Sequence, residues 1–119
     1  IEIFGEHDGY KYLSRNLIHS RNIKLMDSSI KISDKLNCNN YSGISRFHLH
    51  PDISIECDYE KKNGTLILPN TSKIYWQAEC KKISLEDSKY ALGFGVLKTT
   101  KTIVLYDDNF SSSSITLKI

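Results

Sequence analysis

In the nonapeptide DISIECDYE, Asp52 to Glu60, apolar and polar residues alternate without interruption. Ile53, Ile55, Cys57 and Tyr59 fall on one side of an extended chain, and Asp52, Ser54, Glu56 and Asp58 on the other. A helix would scatter these apolar residues around its circumference, whereas a strand with one face against a core gathers them. The same period places strands at about Ile1 to Phe4, Asn16 to Met26, Ser29 to Asp34, Ile44 to His50, Thr65 to Leu68, Lys73 to Cys80, Thr102 to Tyr106 and Ser114 to Ile119. Only ISLEDSKY, Ile83 to Tyr90, competes as a turn or two of helix, and it lacks a sustained helical period.

Turn residues separate these strands: NCNNYSG at Asn37 to Gly43, KKNG at Lys61 to Gly64 and DDNFSSSS at Asp107 to Ser114. Short strands at regular spacing without a long helix predict an all-β fold, an antiparallel β-sandwich of about eight to nine strands. With 119 residues, 39% of them hydrophobic, the chain can enclose one modest core, so residues 1–119 are expected to form one domain. The chain opens at Ile1 with neither a methionine nor a basic and apolar leader, as expected of an excised or processed piece. Its longest apolar runs, such as TIVLY and TLILP, fall far short of the roughly 20 residues of a membrane helix, so no membrane partner is expected.

A net charge of +2, with acidic and basic residues interspersed, argues against nucleic acid as a partner. Only Lys61 with Lys62 and Lys81 with Lys82 cluster, and a local basic groove for a polyanionic sugar stays open. The three cysteines, Cys38, Cys57 and Cys80, are odd in number and widely spaced, which fits neither a disulfide framework nor a zinc ribbon. Cys57 and Cys80 fall in phase with apolar neighbours and read as small core residues. Asn40, Asn63, Asn70 and Asn109 each begin a glycosylation triplet, but asparagine and serine belong in those turns on conformational grounds alone.

Four groups of residues could carry chemistry. In FHLHP, Phe47 to Pro51, the alternation assigns Phe47 and Leu49 to the core. It puts His48 and His50 about 7 Å apart on the other face, as solvated residues, as partner contacts or as two ligands short of a third. In EHDGY, Glu6 to Tyr10, His7 and Tyr10 could act as an acid/base pair, although Asp8-Gly9 is a tight-turn signal beside which an aromatic ring packs. Arg15, Leu17, His19, Arg21 and Ile23 share a face; that row could grip carboxylates or sulfates, or could be an outer sheet face balanced by the acidic strand at Asp52 to Asp58. Trp76, in phase with Ile74 and Ala78, reads as core before sugar platform. The GFG cluster at Gly93 to Gly95 lacks the context of a nucleotide site, and no complete active site is visible.

The order EHDGYKYL (Glu6 to Leu13), LIHSRNIKL (Leu17 to Leu25), IKISDKL (Ile30 to Leu36), RFHLHPDI (Arg46 to Ile53) and, more loosely, SKYALGFGVLKTT (Ser88 to Thr100) resembles the C-terminal β-sandwich of heparinase II/III-like polysaccharide lyases. The resemblance implies a bacterial enzyme that joins an α/α-toroid to a β-sandwich and cleaves acidic polysaccharides by β-elimination. It implies that the catalytic Tyr and Asn of the toroid, and the histidine and metal ligands of the opening sandwich strands, lie outside this chain. On that basis the chain alone is expected to be inactive, with no catalytic residue, metal ligand or cofactor of its own, while the parent leaves room for a divalent metal such as zinc. Its implied partners are an acidic polysaccharide and the upstream toroid, and its implied location is periplasmic or secreted. Substrate contacts are expected at His7, Tyr10, His19 and Arg21. The rival expectation is a non-catalytic carbohydrate-binding or adhesion-type sandwich.

Overall fold

The computed structural model describes residues 1–10, 17–38, 41–108 and 112–119. Arg15, the start of the expected second strand at Asn16, the end of the EHDGYKYL segment and the acceptors Asn40 and Asn109 lie outside the described residues. Among those described there are ten strands and no helix. They are β1 (Glu2–His7), β2 (His19–Leu25), β3 (Ser29–Leu36), β4 (Gly43–His48), β5 (Ser54–Asp58), β6 (Asn63–Ile67), β7 (Lys73–Glu79), β8 (Lys82–Gly93), β9 (Val96–Asp107) and β10 (Ser112–Lys118).

All pairings are antiparallel. Seven strands form one sheet in the order β1-β2-β3-β10-β7-β6-β5, and three form the other in the order β4-β9-β8. The all-β sandwich expected from the alternation is therefore the fold. Its ten strands exceed the expected eight to nine because ISLEDSKY is a strand and not a helical turn. It forms the first part of β8, where Ile83 is buried and the ladder with β9 runs from Lys82↔Tyr106 to Gly93↔Val96. Pairing with β9 overrides the weak local pattern. Gly93, Phe94 and Gly95 close this hairpin, and Gly95, at φ 74°, takes a conformation that suits glycine.

The core lies between the sheets. Leu49, Leu66, Trp76, Ala78, Ile83, Ile103, Leu105 and Ile115 form its buried cluster, against which Ile53, Ile55, Cys57 and Cys80 pack. Trp76 and both cysteines thus occupy the core positions expected of them. Tyr59 departs from its phase: β5 ends at Asp58, the chain turns, and the ring is exposed.

A seven-stranded layer opposite a three-stranded one cannot be covered across its whole width. At the β1 margin every residue of the strand is exposed, and β2 is half-buried at best. This uncovered margin carries the candidate site.

Candidate functional site

Antiparallel register determines what faces what on this margin. His7 lies opposite His19, which lies opposite Leu36; Gly5 lies opposite Arg21, which lies opposite Asp34; Ile3, Ile23 and Ile32 form the next row. Asp34 therefore falls in phase with Ile32 and Leu36, pointing between the sheets. Only 1% of it is exposed. A carboxylate in that position requires charge-assisted partners, since burial without them costs several kcal/mol, of order 3–5.

Those partners come from three strands. Arg21 donates from Nε and Nη2 to the two carboxylate oxygens at 2.8 and 2.9 Å, a bidentate pair. His19 Nε2 lies 2.9 Å from Oδ1, and the Ser45 hydroxyl donates to Oδ2 at 3.1 Å with the Ser113 hydroxyl 3.3 Å behind it. Burial pushes the Asp34 carboxyl up, but hydrogen bonds from Arg21, His19 and Ser45 outweigh it and hold the group below the usual carboxylate range. The same Asp34 bonds raise Arg21 above its ordinary value against the opposing effect of burial. Phe47 of the facing sheet packs 5.5 Å beneath the guanidinium.

The network continues outward. His7 Nε2 lies 2.8 Å from His19 Nδ1, and the Gly9 N–H donates to His7 Nδ1 at 3.1 Å. An amide N–H can only donate, so His7 Nδ1 accepts and its proton sits on Nε2. His7 then donates to His19 Nδ1, and His19 donates from Nε2 to Asp34. One directed chain runs Gly9, His7, His19, Asp34. The Tyr10 ring completes the group, 5.4 Å from that of His7 and 6.3 Å from that of His19. Tyr10, His19, Arg21 and Asp34 line a cavity of about 230 Å³ that extends to Tyr41 and Arg46.

His7, Tyr10, His19 and Arg21, expected separately from two segments, are thus brought into one cluster. The structure decides two sequence readings, changing the first and keeping the second. The His19–Arg21 row is not an outer face balanced by Asp52 to Asp58; it faces the inner margin, and its acid is Asp34. In EHDGY, the turn reading describes the geometry, with Gly9 bonded back to His7 and Tyr10 stacked on it. Sequence reasoning missed Asp34 and Ser45 as members of the site. A carboxylate in phase with Ile30, Ile32 and Leu36 was the available signal for Asp34, because a charge in an apolar row needs a partner.

His48 and His50 lie elsewhere. Ser45, Phe47 and Leu49 turn inward and both imidazoles outward. His48 Nδ1 meets the Thr102 hydroxyl at 2.8 Å, while His50 rests 5.1 Å from the Tyr90 ring and accepts the Asp52 N–H. Among the described residues no three His, Cys, Asp or Glu side chains converge to hold a metal.

The family described as Heparinase II/III-like, C-terminal, matches residues 1–117. No curated protein matches. Several solved structures are similar, and two of them illustrate the likeness. The heparan sulfate lyase HepC from Pedobacter heparinus matches 87% of this chain with a TM-score of 0.73 and 12% identity. A structure described as heparinase III, the BT4657 gene product, matches 98% with a TM-score of 0.73 and 17% identity. At these identities the likeness is one of fold. The chain spans 18% of the length of either one.

Proposed function

Because the chain belongs to the heparinase II/III-like, C-terminal family, we propose that it is the β-sandwich part of a bacterial lyase that cleaves acidic, uronate-containing polysaccharide by β-elimination. In this reading it forms a wall of the cleft and a docking surface for an upstream α/α-toroid, and is not catalytic alone. The observation that carries the reading is the convergence of His7, Tyr10, His19 and Arg21 on the uncovered β1–β2 margin. Elimination needs neutralisation of the uronate carboxylate, a base for the C5 proton and an acid for the leaving oxygen. Arg21 supplies a neutralising contact: its side chain is 42% exposed and keeps N–H groups beyond those spent on Asp34. Both imidazoles are committed to each other and to Asp34, which suits positioning of substrate better than proton abstraction. Base, acid and any divalent metal such as zinc are assigned to the rest of the longer protein, in a periplasmic or secreted setting.

Ultraviolet detection of the unsaturated product tests the division of labour. The longer protein is expected to turn over heparan sulfate and this chain alone to show none; robust turnover by the chain would overturn the non-catalytic assignment. Heparan sulfate oligosaccharide added to the chain is expected to shift the backbone resonances of His7, Tyr10, His19 and Arg21. Shifts confined to another face would remove this margin from the cleft.

A further inference from the structure

We infer that the His7–His19 pair is a proton-linked anion site, at which a sulfate or carboxylate binds together with one proton taken up by the imidazoles. This rests on the reading above that the margin meets acidic polysaccharide, and it adds how the contact is made.

The argument is a count of donors and lone pairs. The two neutral rings offer two N–H groups and two bare nitrogens, and all four are used. Gly9 N–H occupies His7 Nδ1, His7 Nε2–H occupies His19 Nδ1, and His19 Nε2–H occupies Asp34. The neutral pair is closed: it presents no N–H to an anion and no free nitrogen to a proton. A third proton must break one of these contacts. His19 is held by Asp34, whereas His7 is exposed, so the proton enters at His7 Nδ1.

That site then changes character. Gly9 N and His7 Nδ1 lie 3.1 Å apart, and once both carry hydrogen they are two donors aimed at the same space. They repel each other unless an acceptor comes between them. One oxygen of a sulfate or carboxylate can accept from both, in the manner of a backbone nest reinforced by a full positive charge. His7 Nε2–H still donates to His19, so the rest of the chain to Asp34 stays intact.

Among the described residues, the charges around the site are already largely paired. Arg21 on β2 faces the site but is paired with Asp34 on β3, while Arg46 on β4 lies at the cavity rim with Glu86 at 3.5 Å. Glu6, next to His7 on β1, adds negative charge to this margin, and the Tyr10 ring packs against that of His7.

Calorimetric titration of the protein with a heparan sulfate oligosaccharide, in two buffers of different ionisation enthalpy, reads the coupling directly. Close to one proton is expected to be taken up per oligosaccharide at about pH 7.5, where free imidazoles are mostly neutral. Affinity should fall about tenfold for each unit of further pH rise, as linkage to one proton requires. His7→Gln is expected to abolish the uptake and leave a weaker affinity that varies little with pH. As a check that needs no variant, the Gly9 amide resonance of the unaltered protein should shift with ligand at about pH 6 and the shift should diminish at about pH 8. Binding without proton uptake, or with a silent Gly9 amide, overturns this inference and leaves the proposed function standing. Absence of binding throughout the range overturns both.

Discussion

Asp34 carries more of the architecture than any other charged residue described, since it ties β2, β3 and β4 together through Arg21, His19 and Ser45. Its carboxyl titrates lower in the folded chain than in the unfolded one. Its stabilising contribution is therefore complete above the ordinary carboxylate value of about 4 and fades as the pH falls through the lower folded value. Asp34→Asn, which keeps the shape and removes the charge, is expected to cost about 1–3 kcal/mol at neutral pH, because Arg21 can recover part of the loss from water. Urea midpoints of both proteins, followed from neutral pH into acid, should converge at low pH; a gap that stays constant would show that charge is not the source. Other single positions divide sharply by burial. Leu105, with no exposed surface, should cost about 2–5 kcal/mol on truncation to alanine. Phe94, at the hairpin tip and wholly exposed, should tolerate serine within about 0.5 kcal/mol, as thermal melts would record.

Among the elements, the close approach of β5, β6 and β7 depends on a missing side chain. A Cβ at Gly64 would lie 1.9 Å from the Glu56 carbonyl oxygen across the β5–β6 pair and 3.0 Å from Trp76 Nε1 across β6–β7. The first contact is with backbone and cannot be relieved by rotation. Gly64→Ala is thus expected to cost about 1–3 kcal/mol or more, whereas Gly93→Ala, with open space around its Cβ, should change the melting temperature little. Alternation made β5 and β7 legible because each has one face on the core, so that Ile53, Ile55, Cys57, Trp76 and Ala78 report it in their order. β8 was not legible for the opposite reason. Ile83 is its one buried residue, Ser84 and Leu85 are both half-buried, Glu86 and Asp87 are both exposed, and the period is broken there. The site was legible in part: His7, Tyr10, His19 and Arg21 could be named, but their meeting is a fact of register between strands and not of any one segment.

Across the whole molecule, seven strands face three, and the consequence is a loose outline. The radius of gyration is 15.5 Å, against roughly 13.5 Å for a compact chain of this length. The excess is consistent with the uncovered β1–β2 margin and the projecting β8–β9 hairpin, whose tip exposes Leu92, Phe94, Val96 and Leu97. Stability should be distributed accordingly, and the strand order predicts how. β10, last in sequence, pairs with β3 on one side and β7 on the other, so it closes the middle of the large sheet and brings Ile115 into the core. β1, first in sequence, pairs with β2 alone and buries nothing. Removing residues 112–119 splits the sheet into halves with no direct ladder between them and takes Ile115 out of the cluster packed around Trp76. Removing residues 1–6 trims an edge and leaves the cluster around Trp76 and Leu105 untouched. The single tryptophan, 2% exposed at the centre of that cluster, reports the difference. Its fluorescence should show a cooperative unfolding transition after the deletion at the N-terminus, at a modestly lower midpoint, and none after the deletion at the C-terminus. Loss of cooperativity on trimming β1 would mean that the uncovered margin is part of the folding unit and not only a surface attached to it.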